Sequence, residues 1–362
     1  MVKFSISLSF RNTILLVLCL QNASFTLLRS YSQSVLKEKY NYSSLLLVGE
    51  FIKLTVSAYM TGWGAGRLEV TDIQDMSGFS KLLWLAKNSQ KMFMLAGIYG
   101  VMNIFSFISL ARISAVEFTV ASQLKILATA VFFTILFKRQ LSDTKWRALV
   151  LLVCGTILVS NPDGQSSVQK DSSAGSKLIG YAAVLIQVAL SGFAAVYFEK
   201  VIKSGTEKLS IWDRNVQLAG ASIVFYFATF LFEFLRSDTK ASTDVVPNAD
   251  ATADKTGFFS GWSLITLLLA FLSAGGGILV AMTFKHADSI LKTLSVSLAI
   301  VITTFVGWFV LGTKLNVTIT IGAISAVIGV LNYNYDATPK VNNVPTQEQA
   351  SADGKKKKAD DV

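Results

Sequence analysis

The chain has 362 residues, 52% hydrophobic and only 15% charged, where a soluble domain carries about 25% charge, so a soluble globular enzyme is a poor reading from the start. Two cysteines, Cys19 and Cys154, and the lone His286 exclude a disulfide framework or a Cys/His zinc centre as the organising chemistry. The net charge of +10 comes from Lys and Arg spread among short segments between apolar runs, a pattern that reports membrane orientation rather than nucleic-acid binding.

Apolar runs of about 20 residues, the length a helix needs to cross a bilayer, predict ten transmembrane helices. Their spans are 11–30, 43–64, 92–111, 113–137, 146–160, 178–199, 215–235, 259–284, 289–311 and 316–335. The first could pass for a signal peptide, but a second apolar span follows at once, which makes it a first transmembrane helix. Residues 161–176 and 237–257 are polar loops, and from Asp336 onward the chain is a polar tail with Lys355 to Lys358 near its end, expected to be disordered. With both termini in the cytosol, the cytosolic segments hold 21 of the 33 Lys and Arg and the far-side loops hold 10; Lys53 and Lys125 lie inside spans. That imbalance is the one expected of cytosolic loops. Asn41-Tyr42-Ser43 forms a glycosylation sequon in the first far-side loop.

A displacement of 174 residues carries spans 4–5 onto spans 9–10. Ile126 meets Ile300, Thr129 meets Thr303, Leu141 meets Leu315, Thr144 meets Thr318 and Gly155 meets Gly329. A five-span unit repeated in tandem inserts in opposite orientations, the inverted repeat of many secondary transporters. The fold class expected is therefore all-α and polytopic, ten helices in two inverted five-helix repeats. Residues 1–160 form the first repeat, 161–177 a lumenal linker, 178–335 the second repeat, and 336–362 the basic cytosolic tail.

Ionisable side chains inside spans cost about 2.5–3.5 kcal/mol each at the bilayer centre, so each asks for a reason. Lys125 lies mid-span, too far from either end to reach an interface, with Gln123, Ser122 and Thr129 close by in sequence. It reads either as a cation awaiting an anionic substrate or as half of an ion pair with Glu117. Glu50 and Lys53, at i and i+3, are positioned to neutralise each other as a structural pair. Tyr99 and Asn103 share a face of span 3, while Asn215 and Gln217 open span 7. Amides and tyrosines of this kind also simply bridge helices. Gly275 to Gly277 interrupt span 8; beyond them Lys285 and Lys292 can draw an anion to the cytosolic mouth or serve as ordinary cytosolic charges. His286 reads as an interfacial residue. No glycine-rich phosphate loop ending in Lys-Ser or Lys-Thr, and no catalytic constellation, is recognisable.

Seven segments, in order, resemble the nucleotide-sugar transporters of the Golgi and endoplasmic reticulum. They are Leu20-Gln21-Asn22-Ala23-Ser24 with Arg29 and Tyr31, then Glu50-Phe51-Ile52-Lys53, then Tyr99 with Asn103, then Gln123-Leu124-Lys125-Ile126-Leu127. Ser191-Gly192-Phe193 running on to Val196-Tyr197-Phe198-Glu199-Lys200 comes next. Arg214-Asn215-Val216-Gln217-Leu218 follows, and last Gly276-Gly277 with Lys285, Ala287-Asp288 and Ile290-Leu291-Lys292. That family belongs to the drug/metabolite transporter superfamily, whose members have ten helices in two inverted repeats. The resemblance implies that Lys125 and Lys285 meet the nucleotide phosphates, and that Tyr99, Asn103, Gln123, Ser191 and Asn215 line the substrate pocket. Ser122 stands where such transporters usually have a tyrosine before Gln-Leu-Lys, and Ala219 where sialic-acid-type members have another. The runs 21–24, 125–127 and 297–301 look more like the UDP-galactose and UDP-N-acetylglucosamine branch.

The function implied is antiport of a cytosolic UDP-sugar for lumenal UMP by alternating access. Transport of CMP-sialic acid, a GDP-sugar or another anionic metabolite, or a non-transporting multispan protein, are the alternatives. The implied setting is a Golgi or endoplasmic reticulum membrane with both termini cytosolic. The partners expected are a nucleotide sugar, a nucleoside monophosphate and the lipid bilayer, with homodimerisation left open and no nucleic acid, cofactor, metal or enzymatic activity.

Overall fold

The computed structural model describes residues 10–38, 40–64, 73, 76, 78–160, 174–204, 209–237, 258–312 and 316–335. The tail from Asp336, nearly all of the 161–177 linker and nearly all of the 237–257 loop lie outside them.

Helices make up all of the regular structure among the described residues: α1 (Phe10–Ser34), α2 (Tyr42–Gly62), α3 (Gly78–Lys87), α4 (Gln90–Leu110), α5 (Ala115–Ser122) and α6 (Lys125–Phe137). Then follow α7 (Asp143–Ser160), α8 (Ala174–Ser204), α9 (Ile211–Ser237), α10 (Leu264–His286), α11 (Ser289–Leu311) and α12 (Val317–Asn334). Eight stretches are long and apolar enough to cross a membrane, with α5 and α6 together supplying one of them, Val116–Phe137. Large apolar side chains such as Phe309 and Leu264 stand 84% and 81% exposed on the outer faces, as lipid-facing residues must. The chain is a polytopic all-α membrane protein.

Three local features differ from the sequence expectation. Span 113–137 is not one continuous helix, because it breaks at Gln123-Leu124. There Gln123, Leu124 and Ile126 donate to the carbonyls of Val120, Ala121 and Gln123, three residues back instead of four. The stretch between spans 2 and 3 also holds an additional short helix, α3. In addition α8 opens at Ala174, so the last residues of the expected linker are already helical.

Start signals fix several helix ends. Asn41 accepts from the Ser43 and Ser44 amides at α2, Ser114 and Glu117 form a capping box at α5, Ser263 and Thr266 another at α10, and Asp288 accepts from Leu291 at α11. Each of these satisfies N–H groups that a helix start leaves open.

Helices pack in reciprocal pairs. α7 runs along α12 and α2 along α9; α1 packs on α10 while α8 packs on α4, and α1 packs on α11 while α8 packs on α6. The α7–α12 crossing depends on small residues, as close approach in a membrane does. A Cβ at Gly155 would lie 2.6 Å from the Ala326 nitrogen, and one at Gly329 would lie 2.9 Å from the Ala148 carbonyl. Two apolar clusters flank the centre. Ile126, Leu149, Leu152, Ile290 and Leu294 join α6, α7 and α11, and Met92, Leu95, Phe198, Leu218 and Phe284 join α4, α8, α9 and α10. α8 serves both, through Val196 in the first cluster and Phe198 in the second.

Candidate substrate site

Lys125 is the first residue of α6, so the helix break places it beside backbone that is not in regular α-helical register. Irregular backbone at membrane depth persists where it is buried in protein or lines a polar cavity. The side chains there are polar: Ser122 Oγ and Gln123 Oε1 are buried with no hydrogen-bond partner among the described residues. Thr129 spends its hydroxyl on the Lys125 carbonyl at 2.7 Å. Glu117, the alternative partner for Lys125, is engaged elsewhere. It accepts from the Tyr181 hydroxyl at 2.6 Å and from the Ser114 amide at 2.7 Å.

A second cation lies within electrostatic reach of Lys125. The Lys125 charge acts on that of Lys292, in the first turn of α11, and both side chains are half-buried. Neither ammonium has an ion-pair or hydrogen-bond partner among the described residues. Two like charges in a low-dielectric setting repel, so this arrangement favours an anion between them. Lys285 lies in the last turn of α10 and is exposed. Sequence reasoning left Lys292 between drawing an anion to the cytosolic mouth and serving as an ordinary cytosolic charge. The signal for it was present in the span boundaries, since 292 falls one turn inside the span that begins at 289.

A second polar group lies between α4 and α9. Tyr99 and Asn103, one turn apart on α4, line a small cavity with Ser222 and Tyr226 of α9. Asn215 shares an α9 face with Ala219, Ser222 and Tyr226, at helical spacings of 4, 7 and 11 residues. It is fully buried, and neither its amide oxygen nor its nitrogen has a partner among the described residues. A buried amide left unpaired is costly, so Asn215 is poised for a ligand or water. Sequence reasoning missed Ser222 and Tyr226 because both look like ordinary residues of an apolar span. Ser191 is half-buried on α8, next to Gly192, whose position directly abuts the α6 backbone at Ala128 and Thr129.

Glu50 and Lys53 form an ion pair at 2.6 Å. The pair is close enough to the cavity for the Glu50 charge to act on Tyr99 and Tyr226. The double glycine of α10 makes room for it: a Cβ at Gly277 would lie 2.9 Å from Lys53 Cδ, and one at Gly276 would lie 2.6 Å from Gln21 Nε2. Gln21 in turn donates to the Leu272 carbonyl at 2.8 Å. Three sequence segments far apart in the chain thus converge on one spot.

Gln217, which sits beside Asn215 in sequence, has a different role. Its amide donates to the carbonyls of Leu85 and Asn88 at the end of α3, and Lys81 of α3 pairs with Asp213 at 3.4 Å, both buried. These contacts fasten α3 to α9. At the far end of α8, Glu199 accepts from the Ser289 amide at 2.8 Å and from Lys203 at 2.7 Å, anchoring the start of α11 that carries Lys292. Among the described residues no group of three or more His, Cys, Asp or Glu could hold a metal ion.

Comparison with known proteins identifies the family. The family model described as Nucleotide-sugar transporter matches residues 6–334. A UDP-N-acetylglucosamine transporter of Rattus norvegicus is 30% identical over 90% of this chain and 95% of its own. A UDP-N-acetylglucosamine/UDP-N-acetylgalactosamine transporter of Caenorhabditis elegans is 32% identical over 90% and 93%. A UDP-galactose transporter of Schizosaccharomyces pombe is 32% identical over 88% and 86%. A protein of known crystal structure, 15% identical, superposes with a TM-score of 0.57 over 89% of this chain and 96% of that one, which speaks to the fold alone. With matches of this extent, the chain belongs to the nucleotide-sugar transporter family, a family of carriers and not of enzymes.

Proposed function

We propose that this protein exchanges a cytosolic UDP-sugar, UDP-N-acetylglucosamine or UDP-galactose, for lumenal UMP by alternating access in the Golgi membrane, with both termini in the cytosol. The observation that carries the proposal is the placement of Lys125 at a broken helix packed on α11, close enough to Lys292 for the two charges to act on each other, with no carboxylate paired to either among the described residues. A nucleoside monophosphate carries between −1.5 and −2 charge near neutral pH, as a phosphorylated side chain does. Either exchange partner brings a phosphate that relieves the repulsion between the two lysines. Without one, the repelling pair opposes closure, which ties the conformational cycle to a loaded site.

The remaining residues divide the ligand between them. Tyr99, Asn103, Ser222, Tyr226 and Asn215 offer hydroxyl and amide groups to the nucleoside, with Gln123 and Ser191 near the phosphate end. Glu50 and Lys53 act as a structural pair that holds α2 against α10 beside the pocket.

The proposed architecture has ten spanning helices in two inverted repeats, with α7 and α9 joining the eight long apolar stretches. Supporting it, a displacement of 174 residues carries Asp143–Ser160 onto Val317–Asn334, and Ala115–Phe137 onto Ser289–Leu311. The reciprocal packing has the same form: Gly155 on Gly322 and Ala148 on Gly329 exchange places under that displacement. Tandem five-helix units of odd span number insert in opposite directions and meet at a midplane site.

The test is exchange in proteoliposomes. Vesicles preloaded with UMP should take up labelled UDP-N-acetylglucosamine or UDP-galactose, and vesicles without UMP should take up far less. Uptake of a CMP-sugar or GDP-sugar in preference to both would overturn the substrate assignment.

A further inference from the structure

α3 presents two different faces. Lys81 and Leu85 are buried, Lys81 against Asp213, while Phe79 and Leu83, one turn apart, are 72% and 58% exposed. A short helix with an exposed apolar face, on a membrane protein, suits the interfacial layer with that face toward the acyl region. Between it and the bundle runs a groove of about 520 Å³, lined by residues of α2, α3, α4 and α9 that include Leu54, Leu82, Phe93, Gly220 and Val224. Its lining is almost wholly apolar, and Phe93 and Val224 are themselves about half exposed, so the groove opens on the outer surface. At roughly the 30 Å³ that one water molecule takes in the liquid, that volume has room on the order of fifteen methylene-sized groups.

The groove also has a polar end. Ser89, at the turn between α3 and α4, lines it. Lys87 and Lys91 flank that turn in the chain. The Ser89 hydroxyl donates back to the Leu85 carbonyl at 2.6 Å and does not cap α4, so the partial positive charge of the α4 start adds to that of the lysines.

We propose that this groove is a lipid site holding one acyl chain of an anionic glycerophospholipid, with the headgroup at the Lys87–Lys91 corner. An apolar groove whose Ser89 end lies between Lys87 and Lys91 in the chain matches the two ends of such a lipid. In the orientation proposed above the corner faces the cytosolic leaflet, where anionic lipids are held. α9 separates the groove from the candidate substrate cavity. Val216, Gly220 and Val224 line the groove, and Ser222 and Tyr226 line the cavity. A lipid there braces the helix that carries the pocket.

Gly220 supplies a decisive variant, because a Cβ there meets nothing within 4 Å. Gly220→Leu adds an apolar side chain to the groove lining from a position with open space at its Cβ. The full-length protein, purified in neutral detergent, is assayed by native mass spectrometry for retained phospholipid. Its unfolding midpoint is measured with phosphatidylserine, phosphatidylcholine or glycerol phosphate added. The wild type should retain one phospholipid and rise by a few degrees with phosphatidylserine, more than with phosphatidylcholine, since a ligand bound only to the folded state raises its stability. Glycerol phosphate should give no rise. Gly220→Leu should lose both the retained lipid and the rise, and Lys87→Glu with Lys91→Glu should equalise the two lipids. Retention and a full rise in Gly220→Leu overturn the site. Equal rises with both lipids in the wild type, or a rise with glycerol phosphate alone, overturn the anionic-lipid assignment. UMP exchange is scored separately, so failure of the transport reading is distinguishable from failure of this one.

Discussion

Lys125 at the start of α6 and Lys292 in the first turn of α11 lie close enough, on two helices packed together, for the charge of one to act on the other, and neither is paired with a carboxylate among the described residues. Two like charges held together in the empty protein favour whatever anion neutralises both. Charge-assisted hydrogen bonds contribute about 1.5–3 kcal/mol each, so Lys125→Ala and Lys292→Ala should each weaken UMP binding by about 10- to 150-fold while leaving a monodisperse protein. Lys125→Arg should restore little, because a planar guanidinium does not replace a compact ammonium in a confined space. Lys285→Ala, at an exposed position, should fall short of either effect. Titration calorimetry with UMP on the four variants decides it. Normal binding by Lys125→Ala would place the phosphate elsewhere.

The Glu50–Lys53 pair gives a second expectation. Breaking a buried pair by removing one partner costs about 3–5 kcal/mol, because the other charge is stranded. Lys53→Ala and Glu50→Ala should both lower the unfolding midpoint strongly. The reversed pair, Glu50→Lys with Lys53→Glu, should recover part of the loss. Recovery stays partial because Gly277 leaves space shaped to the Lys53 stem. If the reversed protein is no more stable than the singles, the two charges do not act as a unit.

Asn41 is a sequon asparagine that should carry no glycan. Its side-chain oxygen caps α2 by accepting from Ser43 and Ser44, and Tyr42 is held under the Arg29 guanidinium at 4.4 Å. Ser44 in turn takes a hydrogen bond from the Trp262 indole. A sequon folded into the first turn of a membrane helix is not the extended, accessible segment a glycosylating enzyme needs. Endoglycosidase treatment should leave the electrophoretic mobility unchanged. Asn41→Ala should cost about 1 kcal/mol of stability as a lost cap, and a glycosidase-sensitive shift would show that the turn opens.

Which features are legible in the sequence depends on the kind of interaction. Membrane spans are legible because burial in lipid imposes a run of apolar residues of fixed length, and eight of them are recovered as such. Glu50 with Lys53 is legible because i,i+3 spacing sets them on one face. The break at Gln123-Leu124 is not, since Val120 to Ile126 hold neither glycine nor proline to announce it. The pairing of Lys81 with Asp213, and of Gln217 with the end of α3, joins residues more than 120 positions apart. No local pattern announces such contacts. Lys292 was readable as a membrane residue by position, but its nearness to Lys125 needed α6 and α11 side by side.

The crossing of α7 and α12 allows a test of the proposed symmetry. Gly155 and Gly329 are counterparts under the 174-residue displacement, and each packs on the backbone of the opposite helix. A Cβ at Gly155 would sit 2.7 Å from the Gly322 carbonyl, and one at Gly329 would sit 3.0 Å from the Leu152 nitrogen. Backbone atoms inside a packed helix pair cannot swing aside as a side chain can. Added bulk therefore has to part the helices, at a cost of about 1–3 kcal/mol or more. Gly155→Leu and Gly329→Leu should both lower the unfolding midpoint, by similar amounts if the two halves are built alike. Gly275→Ala, where a Cβ meets nothing within 4 Å, is the control and should fold like the wild type. Melting of the three purified variants in one detergent is the measurement. Loss of stability in Gly155→Leu with none in Gly329→Leu would mean that the two positions are not equivalent, and the inverted-repeat reading would lose its strongest support.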